Sequence, residues 1–228
     1  MRINKYLALR GLATRRGADD IIARGSVRIN GRIAVLGDKV LQTDIVEVAG
    51  KAAQKKYAYF AYHKPVGIIT HSPERGEKDI KTSIPMKNVF PIGRLDKASS
   101  GLLILTNDGR ITDRLLNPDY AHEKEYRVRV TGPLRAGFKN AMERGVSIEG
   151  YVTKPCVVNV TGDRTFTVTL TEGKKHQIRR MVSALYNTVV ELERTRILNI
   201  RLDKLATGTW RAITGEELTT FLSQIGLK

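Results

Sequence analysis

Residues 93–109, GRLDKASSGLLILTNDG, place an arginine and a carboxylate directly ahead of an apolar run. Leu102, Leu103, Ile104 and Leu105 have the character of a buried central strand, whereas Arg94 and Asp96 belong in water or in a pair. A carboxylate at the lip of a core loses solvation, which disfavours its charged form. A cation alongside restores that form and fixes its direction. Arg94 and Arg179 are the candidates for that cation. A carboxylate held in this way can attack an electrophilic carbon or take a proton.

Other segments carry groups that suit the same chemistry. In KEYRVRV (124–130) Tyr126, Val128 and Val130 face one way and Arg127 and Arg129 the other, so Tyr126 is either a core residue or a wall of a pocket. Ile178, Met181, Val182 and Leu185 mark the apolar stripe of a helix, and Arg179 and Arg180 fall off it, free to meet an acid or a phosphate. Lys174, Lys175 and His176 precede that helix and can bind backbone phosphates or simply be solvated. Cys156, the single cysteine, lies in a strand-like PCVVNV and reads as a packed thiol in a reducing compartment. His63, His71, His122 and His176 show none of the short spacings of a metal site, so no metal is expected.

The elements that must position these groups are short. YFAYHKPVGIIT (59–70) reads as a strand, a Lys-Pro interruption and another strand; RTFTVTL (164–170) alternates; Thr214 and Glu217 form a capping-box pattern ahead of Leu218, Phe221, Leu222 and Ile225. Strands and helices mix without regular βαβ alternation, which predicts an α+β fold with a mostly antiparallel mixed sheet and flanking helices.

Charge points to the partner. The 228 residues hold 39 Lys and Arg against 23 Asp and Glu, a net charge of +16, as a protein that binds a polyanion would. No uncharged run is long enough to span a membrane and no signal peptide is apparent, so a cytoplasmic, membrane-free protein is expected. The first fifty residues concentrate the excess: Arg2, Lys5, Arg10, Arg15, Arg16, Arg24, Arg28 and Arg32 stand against Asp19 and Asp20. Here arginine predominates, the residue that grips phosphate with two prongs. The segment reads as a helix (Ile3, Tyr6, Leu7), a break at Gly11, a helix capped by Thr14 and closed by Gly25, and a hairpin at Asn30-Gly31. GKAAQKKY (50–57) reads as a linker. The predicted division is 1–50 for the RNA-binding module, 51–57 for the linker and 58–228 for a larger domain.

NKYLALRGLATRRGADDIIARGSVRINGRIA resembles the S4 RNA-binding module over almost its whole length, through Asn4-Lys5-Tyr6, Arg15-Arg16 and the terminal VRINGR. That resemblance makes Arg2, Lys5, Arg10, Arg15, Arg16 and Arg28 candidate RNA contacts and leaves the activity open. PIGRLDKASSGLLILTNDG, with YFAYHKPVGIIT, HEKEYRVRV and LTEGKKHQIRRMV in order, resembles the RsuA family of pseudouridine synthases. LERTRILNI and TWRAITGEEL are most similar to the branch that modifies large-subunit ribosomal RNA.

The resemblance implies the following roles. Asp96 stands where the family's essential aspartate stands, Tyr126 matches the tyrosine that packs on the target uracil, and Arg179 matches the arginine that pairs with the aspartate. Ile178 and Leu170 match apolar pocket residues, and Arg94 is expected to hold the displaced RNA. From their own placement, not from the resemblance, Arg180, Lys174 and His176 are expected on backbone phosphates. The chain departs from the family pattern at Ser99, where threonine is frequent, and at Gly17, where an acid is common.

Turning uridine into pseudouridine breaks N1–C1′, turns the base and joins C5 to the same carbon, with no net redox change and no cofactor. Ribosomal RNA of the large subunit or its precursor is the expected substrate, tRNA a second one left open, and a monomer the expected state. A non-catalytic S4 protein of ribosome assembly is the alternative, though it has no use for a paired Asp96. A methyltransferase lacks support, since no G-x-G-x-x-G loop follows a strand.

Overall fold

A computed structural model of the chain describes residues 1–41, 43–49, 56–70 and 78–227, with the side chains of all of these except 15, 16 and 81. Most of the expected linker, and His71, therefore lie outside the described residues.

The N-terminal module is built as its sequence suggests. Helix α1 (Ile3–Leu9) ends at Gly11, whose φ of +71° turns the chain. Helix α2 (Arg15–Ala23) begins where the Thr14 side chain accepts from the Gly17 amide at 3.0 Å, and Gly25 follows its end at φ +69°. Strands β1 (Val27–Ile29) and β2 (Arg32–Ile33) pair across Asn30 and Gly31, both at positive φ, the turn geometry that matches strand twist. Strand β3 (Val46–Val48) completes the sheet in the order β2-β1-β3. Ile3, Leu7, Ala18, Ile22, Val27 and Ile29 form a core of their own.

The remaining chain forms an extended sheet. Its elements are β4 (Tyr59–Lys64), α3 (Ile80–Ser83), β5 (Phe90–Ile92), β6 (Ser100–Thr106), α4 (Ile111–Leu116), β7 (Lys124–Val130), α5 (Phe138–Glu143), the small hairpin β8 (Ser147–Ile148) and β9 (Tyr151–Val152), β10 (Val157–Gly162), β11 (Thr165–Leu170), α6 (Gln177–Ala184), β12 (Val189–Ile197), β13 (Ile200–Arg201), β14 (Trp210–Ala212) and α7 (Gly215–Gln224). The main sheet runs β10-β11-β7-β12-β6-β4-β14, with β13 beside β12 and β5 beside β6. Its pairings are antiparallel except β12 with β6, which is parallel. The apolar run Leu102–Leu105 sits in β6, in the middle of the sheet and fully buried.

Two local expectations fail. Residues 66–70 form no second strand; Ile69 makes a single bridge to Asp79, because Gly67 at φ +89° and the preceding proline bend the chain toward residue 97. Thr214 precedes α7 but its side chain caps nothing, and Glu217 is instead held by Arg211 in a two-pronged pair at 2.6 and 2.7 Å. Cys156 stands just before β10, half-buried, its thiol donating to the Met142 carbonyl and pushed up to about 11 by burial. It is an inert thiol at neutral pH.

The strands β4, β7 and β12 present different faces in turn. Tyr126, Leu192 and Arg194 line one large cleft, while Glu125, Arg127, Glu193 and His63 line a smaller cavity of about 420 Å³ on the opposite face. In the latter, His63 Nδ1 donates to the Leu205 carbonyl at 2.8 Å and Nε2 lies 3.4 Å from Glu193, which Arg127 also holds.

Candidate active site

Asp96 opens onto a cleft of about 1310 Å³ whose walls include Arg94, Tyr126, Leu170, His176, Ile178, Leu192 and Arg194. Its side chain is 35% exposed, at the mouth of the cleft rather than in open solvent. Behind it the backbone is pinned at close intervals. Leu95 exchanges hydrogen bonds with the Thr70 hydroxyl, the Gly67 amide donates to the Lys97 carbonyl at 2.8 Å, and the Ser99 amide donates to the Asp96 carbonyl at 3.0 Å. A loop tied down this way fixes the direction of its carboxylate before substrate arrives.

Arg179 enters the site differently from the expectation. Its guanidinium donates to the Ala98 carbonyl at 2.9 Å, to the Ser99 hydroxyl at 3.2 Å and to the Val189 carbonyl at 3.3 Å. Within 4 Å, the described partner of the Asp96 carboxylate is His176, with Nε2 at 3.5 Å from Oδ1. The physical reason is reach: α6 sets Arg179 beside residues 98 and 99, where two carbonyls and a hydroxyl satisfy its donors. Its distant position brings it to the Asp96 loop, and it holds the loop instead of the acid.

His176 sits at φ +53°, left-handed for a residue that is not glycine, and this turn points its ring at Asp96. The segment before it is braced by buried Glu172, which accepts from Tyr151 at 2.5 Å, from Gln177 at 2.6 Å and from the Lys154 amide at 3.0 Å. Lys174 lies over the Tyr151 ring at 4.6 Å. Arg180 turns away from the cleft to pair with Glu149 at 2.6 Å. Its expected phosphate contact would have to replace that exposed partner.

Tyr126 lies beside Arg194 in register between β7 and β12, and Leu170 and Ile178 form the apolar wall near it. On the N-terminal module, Arg2, Lys5, Arg10 and Arg28 are exposed, Arg10 over the Tyr6 ring and Arg28 bonded to the Gly31 carbonyl. The side chains of Arg15 and Arg16 lie outside the described residues.

Three groups escape a reading of residue order: Leu192, Arg194 and Lys64. Arg194 is 4% exposed; its Nε donates to the Leu102 carbonyl at 2.7 Å and Nη1 reaches the Arg94 carbonyl at 3.5 Å, so it ties together the two ends of the Asp96 loop. Lys64 is fully buried with its ammonium on the Pro65 carbonyl at 2.8 Å. Burial pushes that ammonium down to about 8, against the attraction of Asp96. A lysine inside a strand and next to proline is the signal that could have found it.

The Lys64 shift has a definite sign in stability. Its ordinary value is 10.5, so between pH 8 and 10.5 the unfolded chain binds more protons than the folded one, and stability rises with pH across that window. Measured by urea unfolding, the parent gains on a Lys64→Met variant as pH goes from about 7.5 to about 10. A constant gap contradicts the burial of a charged lysine.

Comparison with known proteins gives the family. A family described as RNA pseudouridylate synthase matches residues 58–184, and the S4 domain matches residues 1–46. The dual-specificity RNA pseudouridine synthase RluF of Salmonella typhi is 42% identical over 95% of this chain and 77% of its own length. The chain belongs to the RNA pseudouridine synthase family. The family's ribosomal large subunit pseudouridine synthase B of Bacillus subtilis is 35% identical over 95% of this chain and 93% of its own. A crystal structure of a pseudouridylate synthase superposes with a TM-score of 0.72 at 28% identity, covering 99% of both chains. These matches place the chain among the RsuA-type synthases with an S4 domain.

Proposed function

We propose that this synthase isomerises a specific uridine of large-subunit ribosomal RNA, with Asp96 as the acting carboxylate. The observation that carries the reading is a carboxylate at the mouth of a cleft, on a loop pinned from four sides and faced by an aromatic and apolar wall. Its relatives' names supply the substrate class, since one is named for the ribosomal large subunit.

Extruding the target base from its stack costs a few kcal/mol. Tyr126 offers the extruded base a face, worth roughly 1–3 kcal/mol where bases stack on aromatics. Leu170, Ile178 and Leu192 enclose it while the basic surface holds the flanking phosphates. Asp96 then acts at the sugar, attacking C1′ or taking a sugar proton. Arg94, exposed on the rim beside Asp96, holds the strand from which the base has left. Lys174 and His176, on the segment that leads into α6, meet further phosphates. No step calls for a metal or cofactor.

The proposed organisation is an S4 module over 1–50, a linker over 51–57 and the catalytic domain over 58–228, acting as a cytoplasmic monomer. No helix among the described residues is long and apolar enough to cross a membrane. Ribosomal RNA labelled with tritium at uridine C5 releases label to water when incubated with the protein, and pseudouridine mapping then locates the site. Absence of release from ribosomal RNA or tRNA would return the protein to the non-catalytic S4 reading. Deleting residues 1–50 lowers RNA affinity by at least about tenfold, since several phosphate contacts go with it, while the catalytic domain keeps its unfolding midpoint. Unchanged affinity in a filter-binding assay contradicts the assignment of Arg2, Lys5, Arg10, Arg15, Arg16 and Arg28.

A further inference from the structure

The floor of the cleft buries more positive charge than Asp96 answers. One register row crosses four strands as Lys64, Gly101, Arg194 and Tyr126. Gly101 contributes no side chain, and the Arg194 backbone closes against it, so no side chain stands between the lysine and the arginine in the row. Lys124, on the same face of β7 as Tyr126, is the third cation, and it lines the cleft together with Arg194, with Lys64 buried behind Gly101.

None of the three is paired with a carboxylate within 4 Å among the described residues. Lys64 donates to the Pro65 carbonyl, Lys124 to the His122 carbonyl at 3.1 Å and Arg194 to those of Leu102 and Arg94. The Arg194 Nη2, buried, has no hydrogen-bond partner among the described residues. Burial pushes Lys124, like Lys64, down to about 8, and Arg194 repels both. Folding alone does not favour such a surplus, because apolar side chains of the same volume would pack without the desolvation penalty. The surplus has a use if an anion forms above it.

We propose that Arg194, with Lys124 beside it, is the electrostatic seat for the uracil anion that forms when N1–C1′ breaks. The inference rests on the isomerase reading. The bonding pair of N1–C1′ leaves with the base, and the negative charge spreads over the ring and its two carbonyl oxygens. When C5 then bonds to C1′, the C5 proton goes to solvent and N1 regains a proton, so the sum is an isomerisation. Fixed cations in a water-poor floor stabilise charge that exists only after cleavage, so they act on the chemical step and not on RNA affinity.

The test compares single-turnover rearrangement from N1–C1′ to C5–C1′ of uridine and of 5-fluorouridine at the target position, read by nuclease digestion and mass spectrometry. The 5-fluoro base has no C5 proton to lose, so its rearranged product keeps the fluorine and takes up water across N1 and C6. The halogen stabilises the anion by itself, so its substrate needs the floor less. Arg194→Gln lowers the uridine rate by about 10²-fold with KM within about threefold, and lowers the 5-fluorouridine rate clearly less. Arg194→Lys recovers much of the loss. Equal losses for both nucleosides, or a loss confined to KM, overturn the proposal. If Arg194→Gln does not fold, Lys124→Gln takes its place: a larger loss on uridine supports the proposal, and equal losses overturn it. A parent protein that converts neither nucleoside refutes the isomerase reading instead, and so is distinguishable.

Discussion

Asp96→Asn lowers the rate of tritium release from C5-labelled ribosomal RNA by at least about 10³-fold, while RNA affinity stays within about threefold. The amide keeps the size of the side chain and the loop that carries it, since Thr70, Gly67, Arg179 and Arg194 hold backbone groups and the Ser99 hydroxyl, not the carboxylate. What it loses is the capacity to attack C1′ or to take a sugar proton. Affinity is spared because it resides in many phosphate contacts spread over both modules. Release at the parent rate by the Asn variant removes Asp96 from the chemistry; a matching collapse of affinity makes it a binding residue.

The second large effect is on the scaffold. Gly101 is the residue of β6 that meets both Lys64 and Arg194 in register, at the point where β6 and β12 run parallel. Its φ is +113°, and a Cβ there would lie 2.4 Å from the backbone nitrogen and oxygen of Arg194. Neither neighbour is a flexible side-chain end, so the strands must part. Gly101→Ala therefore destabilises by about 3–5 kcal/mol and lowers isomerisation further by shifting the Asp96 loop. Denaturant unfolding followed by circular dichroism measures it, and a change below about 1 kcal/mol refutes the close approach.

The N-terminal module is readable because each of its elements is punctuated locally, by Thr14, Gly25 and the Asn30-Gly31 pair. In the larger domain, strands β7 and β11 announce themselves by strict alternation. Strand β12 does not: bulges between Val189 and Glu191 and between Arg194 and Arg196 shift the phase, so Leu192 and Arg194 share a face with each other but fall out of step with the buried Val189 and Ile197 on either side. In residue order alone, Arg194 is therefore indistinguishable from ordinary solvated charge. Arg179 is legible as a residue that comes to the Asp96 loop, but its target is not. Whether a guanidinium meets a carboxylate or the carbonyls beside it depends on about a residue's length of offset, which only the packing of α6 against β12 fixes. The parallel pairing of β6 with β12 is likewise a tertiary fact, set by strands 92 positions apart between Leu102 and Arg194.

The two-faced strands carry one more consequence. Because Glu125 and Tyr126, or Glu193 and Arg194, serve cavities on opposite sides of the sheet, inserting or deleting a single residue within β7 or β12 would turn the reaction chamber inside out, sending Glu125 and Glu193 toward the base and Tyr126 and Arg194 to the back. Length variation among natural versions of this chain should therefore collect in connections such as 131–137 and 202–209. Single-codon insertions across β7 and β12 should be far less tolerated than the same insertions in those connections.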